Sequence, residues 1–137
     1  MRCTVTALLL PLVLSACGSA ADESQPNESE AETTVAAGGD AGKDTYTKCV
    51  ACHSIDKGGR NGVGPNIHGV VGRAVASVEG FSYSAAIKAK GGVWDEAALD
   101  AYLENPRKNV VGTKMSFAGI SNADERKALI AYLKAQK

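Results

Sequence analysis

From residue 42 onward, apolar positions recur at helical spacing in three stretches, and the loops between them are rich in Gly and show no lasting period-two alternation. The first stretch, about Lys43 to Cys52, sets Gly42, Tyr46 and Val50 at i, i+4 steps on one face. A second, about Asp95 to Asn105, places Leu99, Tyr102 and Leu103 on one stripe, carries acids in its first turn and is stopped by Asn105-Pro106. The third runs from about Asn122 to Ala135, with Leu129, Tyr132 and Leu133 as its buried stripe and a capping-box-like start in which Ser121 precedes Asp124 by three. A shorter helix is expected near Tyr83 to Ala89. The pattern predicts one all-α domain over 42–137, built from three main helices, a short helix and Gly-rich loops.

The residues ahead of that domain follow two other patterns. Met1 to Ala16 has one early charge, Arg2, then the apolar run Leu8-Leu9-Leu10-Pro11-Leu12-Val13-Leu14, and ends in small residues, which is the pattern of an export signal. Its last residues, Leu14-Ser15-Ala16-Cys17, resemble the bacterial lipoprotein box, so Cys17 is expected to be lipidated and to become the mature N-terminus. Lipid chains on Cys17 would exceed the two-signal threshold for stable membrane attachment. The stretch 17–41, rich in Ala, Ser, Glu and Gly with no apolar periodicity, reads as a disordered tether.

Charge changes the picture more than composition does. The formal net charge is zero, yet residues 18–41 hold Asp22, Glu23, Glu28, Glu30, Glu32 and Asp40 with no Lys or Arg. Residues 42–137 hold 14 Lys and Arg against 9 Asp and Glu, a basic domain suited to an acidic protein partner. Aromatic residues make up only 5% of the chain, so its core is thin and a prosthetic group would help to fill it.

The strongest chemical signal is Cys49-Val50-Ala51-Cys52-His53, the C-x-x-C-H attachment pattern of c-type haem. Two thiols three positions apart can each reach one vinyl group of the same porphyrin, and the adjacent His is then delivered to the iron. A thioredoxin-like redox pair would need a preceding strand and a βαβ framework, a zinc site would need a further ligand such as His68, and a disulfide between these positions would close almost no loop. For the sixth iron position the residues leave two candidates, Met115, which is the only Met besides Met1, and His68.

Further runs extend this signal across the domain. They are Gly64-Pro65-Asn66-Ile67-His68-Gly69-Val70-Val71-Gly72-Arg73, then Gly80-Phe81-Ser82-Tyr83, Trp94, Tyr102-Leu103-Glu104-Asn105-Pro106-Arg107-Lys108, Gly112-Thr113-Lys114-Met115, Phe117 and Leu129-Ile130-Ala131-Tyr132-Leu133. With them, residues 42–137 resemble a class I cytochrome c of the mitochondrial or alphaproteobacterial type. The resemblance implies a fold wrapped around one haem c, bound through thioethers at Cys49 and Cys52, with His53 and Met115 as axial ligands. It also implies that the Pro65 carbonyl fixes the His53 ring, that Arg73, Tyr83 and Trp94 hold the propionates, and that Tyr102 bonds the Met sulfur. Thr113 joins this haem-binding set, Phe117 covers the edge of the site, and the first and last helices cross at Gly42, Tyr46, Leu129 and Tyr132. Three positions depart from the family pattern: Ile87 where an Asn of a water network is usual, Val111 in place of a Pro, and Tyr46 in place of a Phe.

A six-coordinate haem has no open site for substrate, so the expectation is an electron carrier rather than an enzyme. Lys48, Lys57, Lys88, Arg107, Lys108 and Lys114 lie where the family rings the haem edge with positive charge, and as a set they would steer a monomeric carrier to acidic docking surfaces. The resemblance implies a respiratory circuit from a bc-type quinol:cytochrome c reductase to a terminal oxidase, or to a photosynthetic reaction centre. No nucleic acid or small-molecule substrate is expected, and the expected location is the periplasmic side of a bacterial membrane. The rival classes are a small haem peroxidase, which would need a labile sixth ligand, and an obligate subunit of an oxidase or dehydrogenase.

Overall fold

The last apolar stripe of the sequence becomes the longest described helix. The computed structural model describes residues 40–137; the expected signal over 1–16, Cys17 and the tether as far as residue 39 lie outside the described residues. Five helices follow one another among the described residues: α1 over 40–46, α2 (Ala85–Lys90), α3 (Glu96–Glu104), α4 (Pro106–Asn109) and α5 (Ala123–Ala135). The only β pairing among them is an isolated antiparallel bridge between Ala74 and Val93, so the all-α expectation holds.

The starts of α2 to α5 each have a local chemical cause. The side chains of Ser84, Asp95 and Asn105 accept bonds from the free N–H groups of Ile87, Ala98 and Lys108, which have no partner within their own helices. At α5 that work is done by Asn122, which receives the N–H groups of Asp124 and Glu125, and not by the expected Ser121. Pro106 does end α3, but it also sits at the first turn of α4, where its missing N–H is harmless. That short helix was not expected, because a Pro that stops one helix equally well begins another.

The first helix departs furthest from expectation. It takes in Asp40 and Ala41 and ends at residue 46, so the Cys-containing segment continues as a series of turns rather than as helix. Val50, expected on one face with Gly42 and Tyr46, is therefore 56% exposed, whereas Tyr46 is buried.

The helices surround a small core in which Leu129 is fully enclosed and Leu99, Tyr102, Leu103, Ile130 and Leu133 are buried. Tyr132 is only partly buried. Burying a Leu or Ile side chain contributes about 1.5–3 kcal/mol, so this cluster is the main adhesive between α3 and α5. A polar clamp reinforces it: buried Arg126 on α5 donates to both carboxylate oxygens of Asp100 on α3, at 2.7 and 3.3 Å, and to the carbonyls of Ile120 and Ser121. At the crossing of α1 and α5, Gly42 lies so close to the Ala128 carbonyl and Tyr132 that any β-carbon would overlap them. The Tyr46 and Tyr132 rings meet there at 5.5 Å, as expected for this crossing.

Candidate functional site

After α1 the chain tightens into turns. Cys52 and His53 both donate their N–H to the Cys49 carbonyl, at 3.1 and 3.0 Å, which sets the two thiols one turn apart. Both cysteines are free, Cys49 half-buried and Cys52 exposed. Burial pushes the Cys49 thiol above its ordinary value, with Cys52 adding to the shift and Lys48 opposing it. Among the described residues, no three His, Cys, Asp or Glu side chains gather as a metal ion would need, and there is no strand ahead of the motif.

The His53 ring is held by the following loop. Its Nδ1 lies 2.7 Å from the Pro65 carbonyl, and a carbonyl can only accept. Nδ1 therefore carries the proton, and Nε2 keeps its lone pair for a ligand. Gly64 packs against the face of the ring, where a β-carbon would collide with Cε1, and donates its N–H to the Cys52 carbonyl at 2.8 Å. The loop is in turn pinned by Asn66. Its side-chain amide donates to Ser54 Oγ (2.7 Å) and to the carbonyls of Asp56 and Gly59, and its oxygen accepts the His68 N–H at 2.8 Å. Asn66 and Gly64 belong to the Gly64-Pro65-Asn66 run of the sequence, which by itself assigns neither of them this role. The Gly-Pro-Asn run was the signal for them, since a permissive Gly, a φ-fixing Pro and a side chain that bonds backbone groups together mark a built turn.

His68, the rival sixth ligand, is half-buried and its Nδ1 lies 3.1 Å from the Ile55 carbonyl, in the same loop that supports His53. Arg73 donates to the carbonyls of His68 (2.9 Å) and Asn66 (3.0 Å). Burial lowers its pKa, against the opposing influence of Tyr83. Trp94 is buried, with its ring 4.9 Å from that of Tyr102 and Lys90 Nζ 5.3 Å above its face. Tyr83 meets Phe81 edge-on at 4.8 Å. Ile87 is buried in α2, so the position where a polar network is usual adds apolar surface to the core.

On the other side, three side chains close a ring. The Tyr102 hydroxyl lies 2.9 Å from Thr113 Oγ1 and donates to Met115 Sδ at 3.7 Å, while the Met115 N–H donates to Thr113 Oγ1 at 3.3 Å. With the Tyr102 proton on the sulfur, the Thr113 hydroxyl must donate to the phenol oxygen. Burial raises the Tyr102 pKa and the Thr113 bond works against it. Met115 and Phe117 are partly buried and pack on the core.

Of the six basic residues expected to form a docking ring, Lys48 is paired with Glu125 at 2.8 Å in an ion pair about half exposed on both sides. Lys57, Lys88, Arg107, Lys108 and Lys114 are exposed, and none has a carboxylate at ion-pair distance among the described residues.

An imidazole with a fixed tautomer, a sulfur with a hydrogen-bond donor and a free C-x-x-C thiol pair, set around an apolar core, together fit a covalently attached haem. A family model, "Cytochrome c", matches residues 39–137. Over 101 residues the chain is 50% identical to a cytochrome c of Gibberella zeae, covering 72% of this chain and 95% of that protein. Over 94 residues it is 48% identical to cytochrome c2 of Rhodoblastus acidophilus, covering 69% of this chain and 88% of that one. The solved structure of cytochrome cH from Methylobacterium extorquens superposes with a TM-score of 0.66 at 43% identity, covering 71% of this chain and 97% of its own. The site and fold define a c-type electron-transfer protein with haem c as its covalent cofactor, not an enzyme. The chain belongs to the cytochrome c family.

Proposed function

We propose that this chain is a membrane-tethered single-electron carrier whose iron is held between His53 Nε2 and Met115 Sδ. The observation that carries this reading is the 2.7 Å contact from His53 Nδ1 to the Pro65 carbonyl, which commits one ring nitrogen and frees the other. Met115 is supported by the Tyr102 hydroxyl on its sulfur, whereas His68 belongs to the same loop that supports His53, with its Nδ1 on the Ile55 carbonyl. When bound, haem c would supply reversible one-electron chemistry, and with both His53 and Met115 holding it no place would be left for a substrate.

The chain's own residues set the conditions for that chemistry. Cys49 and Cys52 would carry the thioethers, and Arg73, Tyr83 and Trp94 would neutralise and bury the propionates. The Tyr102 proton on the Met115 sulfur draws electron density from that ligand, which favours the reduced state. Phe117 covers the edge of the site. The basic residues Lys48, Lys57, Lys88, Arg107, Lys108 and Lys114 would meet acidic surfaces on a bc-type donor and a terminal oxidase or reaction centre, in short-lived, salt-sensitive complexes.

No described helix is long and apolar enough to cross a membrane. The attachment proposed is lipid at Cys17, supported by the lipoprotein-box pattern Leu14-Ser15-Ala16-Cys17, with the domain on the periplasmic side of the cytoplasmic membrane. The optical spectrum of the oxidised protein tests the ligation: a weak far-red band reports Met bonded to iron, and it should vanish in Met115→Ala. A wild-type protein without that band at neutral pH refutes the His/Met reading. Cys17→Ser should move the cytochrome into the soluble periplasmic fraction, and continued membrane association would refute the anchor. Redox titration of membranes with and without an inhibitor of quinol oxidation places the carrier in its circuit.

A further inference from the structure

Tyr46, the last residue of α1, touches both ends of the attachment motif. Its backbone carbonyl accepts the Cys49 N–H at 2.8 Å, and its phenol hydroxyl donates to the His53 carbonyl at 3.4 Å. The run from Cys49 to His53 is thus held at its first N–H and at its last carbonyl by one residue. The ring between these two bonds is itself anchored. Tyr46 is 7% exposed, and its ring lies 5.5 Å from that of Tyr132 on α5, at the crossing where Gly42 meets the Ala128 carbonyl. Among the described residues, no other hydrogen-bond donor reaches the His53 carbonyl. A Phe at this position would keep the ring on Tyr132 and leave that carbonyl without this partner.

We infer that Tyr46 is a positioning residue for His53, its hydroxyl tying the main chain of that residue to the crossing of α1 and α5. The inference rests on reading His53 as the imidazole ligand and adds what holds the ligand's backbone. The two supports act on different parts of the residue. The Pro65 carbonyl pins the ring at Nδ1, whereas the Tyr46 hydroxyl holds the peptide from which the side chain springs. A ring pinned at Nδ1 and freed at its backbone end pivots about the pinned bond, and Nε2 is the atom that such a pivot displaces. At 3.4 Å the bond is longer than the usual O–H···O distance of about 2.7–2.8 Å. Its loss therefore raises local opening only about two- to threefold, and the effect falls on the orientation of His53 rather than on the stability of the whole domain.

Tyr46→Phe tests this role in the haem-loaded full chain in a non-ionic detergent, because it removes the hydroxyl and leaves the aromatic ring in place. In the reduced protein the N–H groups of Cys52 and His53, both bonded to the Cys49 carbonyl, should exchange with deuterium about two- to threefold faster than in the wild type. The N–H of Leu129, a fully enclosed residue of α5, should exchange at its wild-type rate. In the oxidised protein the paramagnetically displaced proton resonances of the His53 ring should move, whereas Tyr132→Phe, which strips the other hydroxyl of the ring pair, should leave them in place. Unchanged exchange at Cys52 and His53, the same acceleration at Leu129, or His53 resonances that stay put in Tyr46→Phe would each overturn the role. Wild-type His53 ring protons with no paramagnetic displacement would refute the imidazole ligation itself, and the role of Tyr46 would fall with it.

Discussion

The two sides of the haem site are built on different principles. On the imidazole side, His53 is supported from within residues 49–68: the turn at Cys49, the Pro65 carbonyl, the close approach of Gly64 and the Asn66 amide all lie in that one short segment. On the sulfur side, Met115 depends on Tyr102, which comes from α3 and has its own place in the core. Local closure fixes a ligand's orientation at small loop entropy, whereas a ligand held across elements depends on the packing of the whole domain. The His53 ring is therefore preorganised by its own loop, whereas Met115, the sulfur ligand proposed above, is the one that changes in the surroundings would tune or release.

This contrast is open to attack by substitution. The largest effect is expected from Gly64→Ala, because the new methyl collides with the His53 ring and the loop cannot yield without losing the bond to Cys52. Overpacking of this kind costs about 1–3 kcal/mol, and denaturant melts should show that loss together with a changed spectrum of the imidazole-bound iron. Asn66→Ala comes next. It removes the donor shared by Ser54, Asp56 and Gly59, and at about 1–3 kcal/mol for buried groups left unpaired it should lower Tm while leaving the far-red band in place.

Thr113→Val acts on the other side and less strongly. Loss of one hydrogen bond is worth about 0.5–1.5 kcal/mol, and the readout that separates it from a general weakening is the reduction potential. Without the Thr113 donor, the Tyr102 hydroxyl is freed to reorient and the potential should shift, whereas Asn66→Ala should leave it nearly constant. Equal shifts in the two variants would erase the distinction between the two sides.

The smallest effect concerns pH. Burial raises the Tyr102 pKa above its unfolded value of about 10. Below that value the phenol is protonated in both the folded and unfolded chain, and pH does not matter. Above it the unfolded chain releases the proton while the folded one holds it, so stability falls as pH rises through the folded pKa. Tyr46 is raised in the same direction, chiefly by burial. Tyr102→Phe should flatten part of this alkaline limb in melts between pH 9 and 11, and a limb of unchanged slope would show that Tyr102 does not titrate there.

Much of the molecule could be read from the chain alone, because those features depend on near neighbours. The stripes of α3 and α5 follow from i, i+3 and i+4 spacing, and Cys49, Cys52 and His53 are adjacent enough for their order to state their chemistry. The same locality misled at the ends of elements: the first stripe promised helix through Val50, but the chain leaves α1 after residue 46 to bring the two thiols and His53 together. Pro106 was legible as a stop and not as a start.

What the tertiary structure alone decided are the relations between distant positions. Nothing near Asn66 in sequence says that its amide will join Ser54, Asp56 and Gly59, and nothing near Arg126 says that it will be buried against Asp100 and the Ile120 carbonyl. The proton order through Thr113, Tyr102 and Met115 likewise needs α3 folded against the Met115 loop. Spacing along a chain determines which side chains share a face, but a buried polar group takes whichever partner the packed fold brings within about 3 Å.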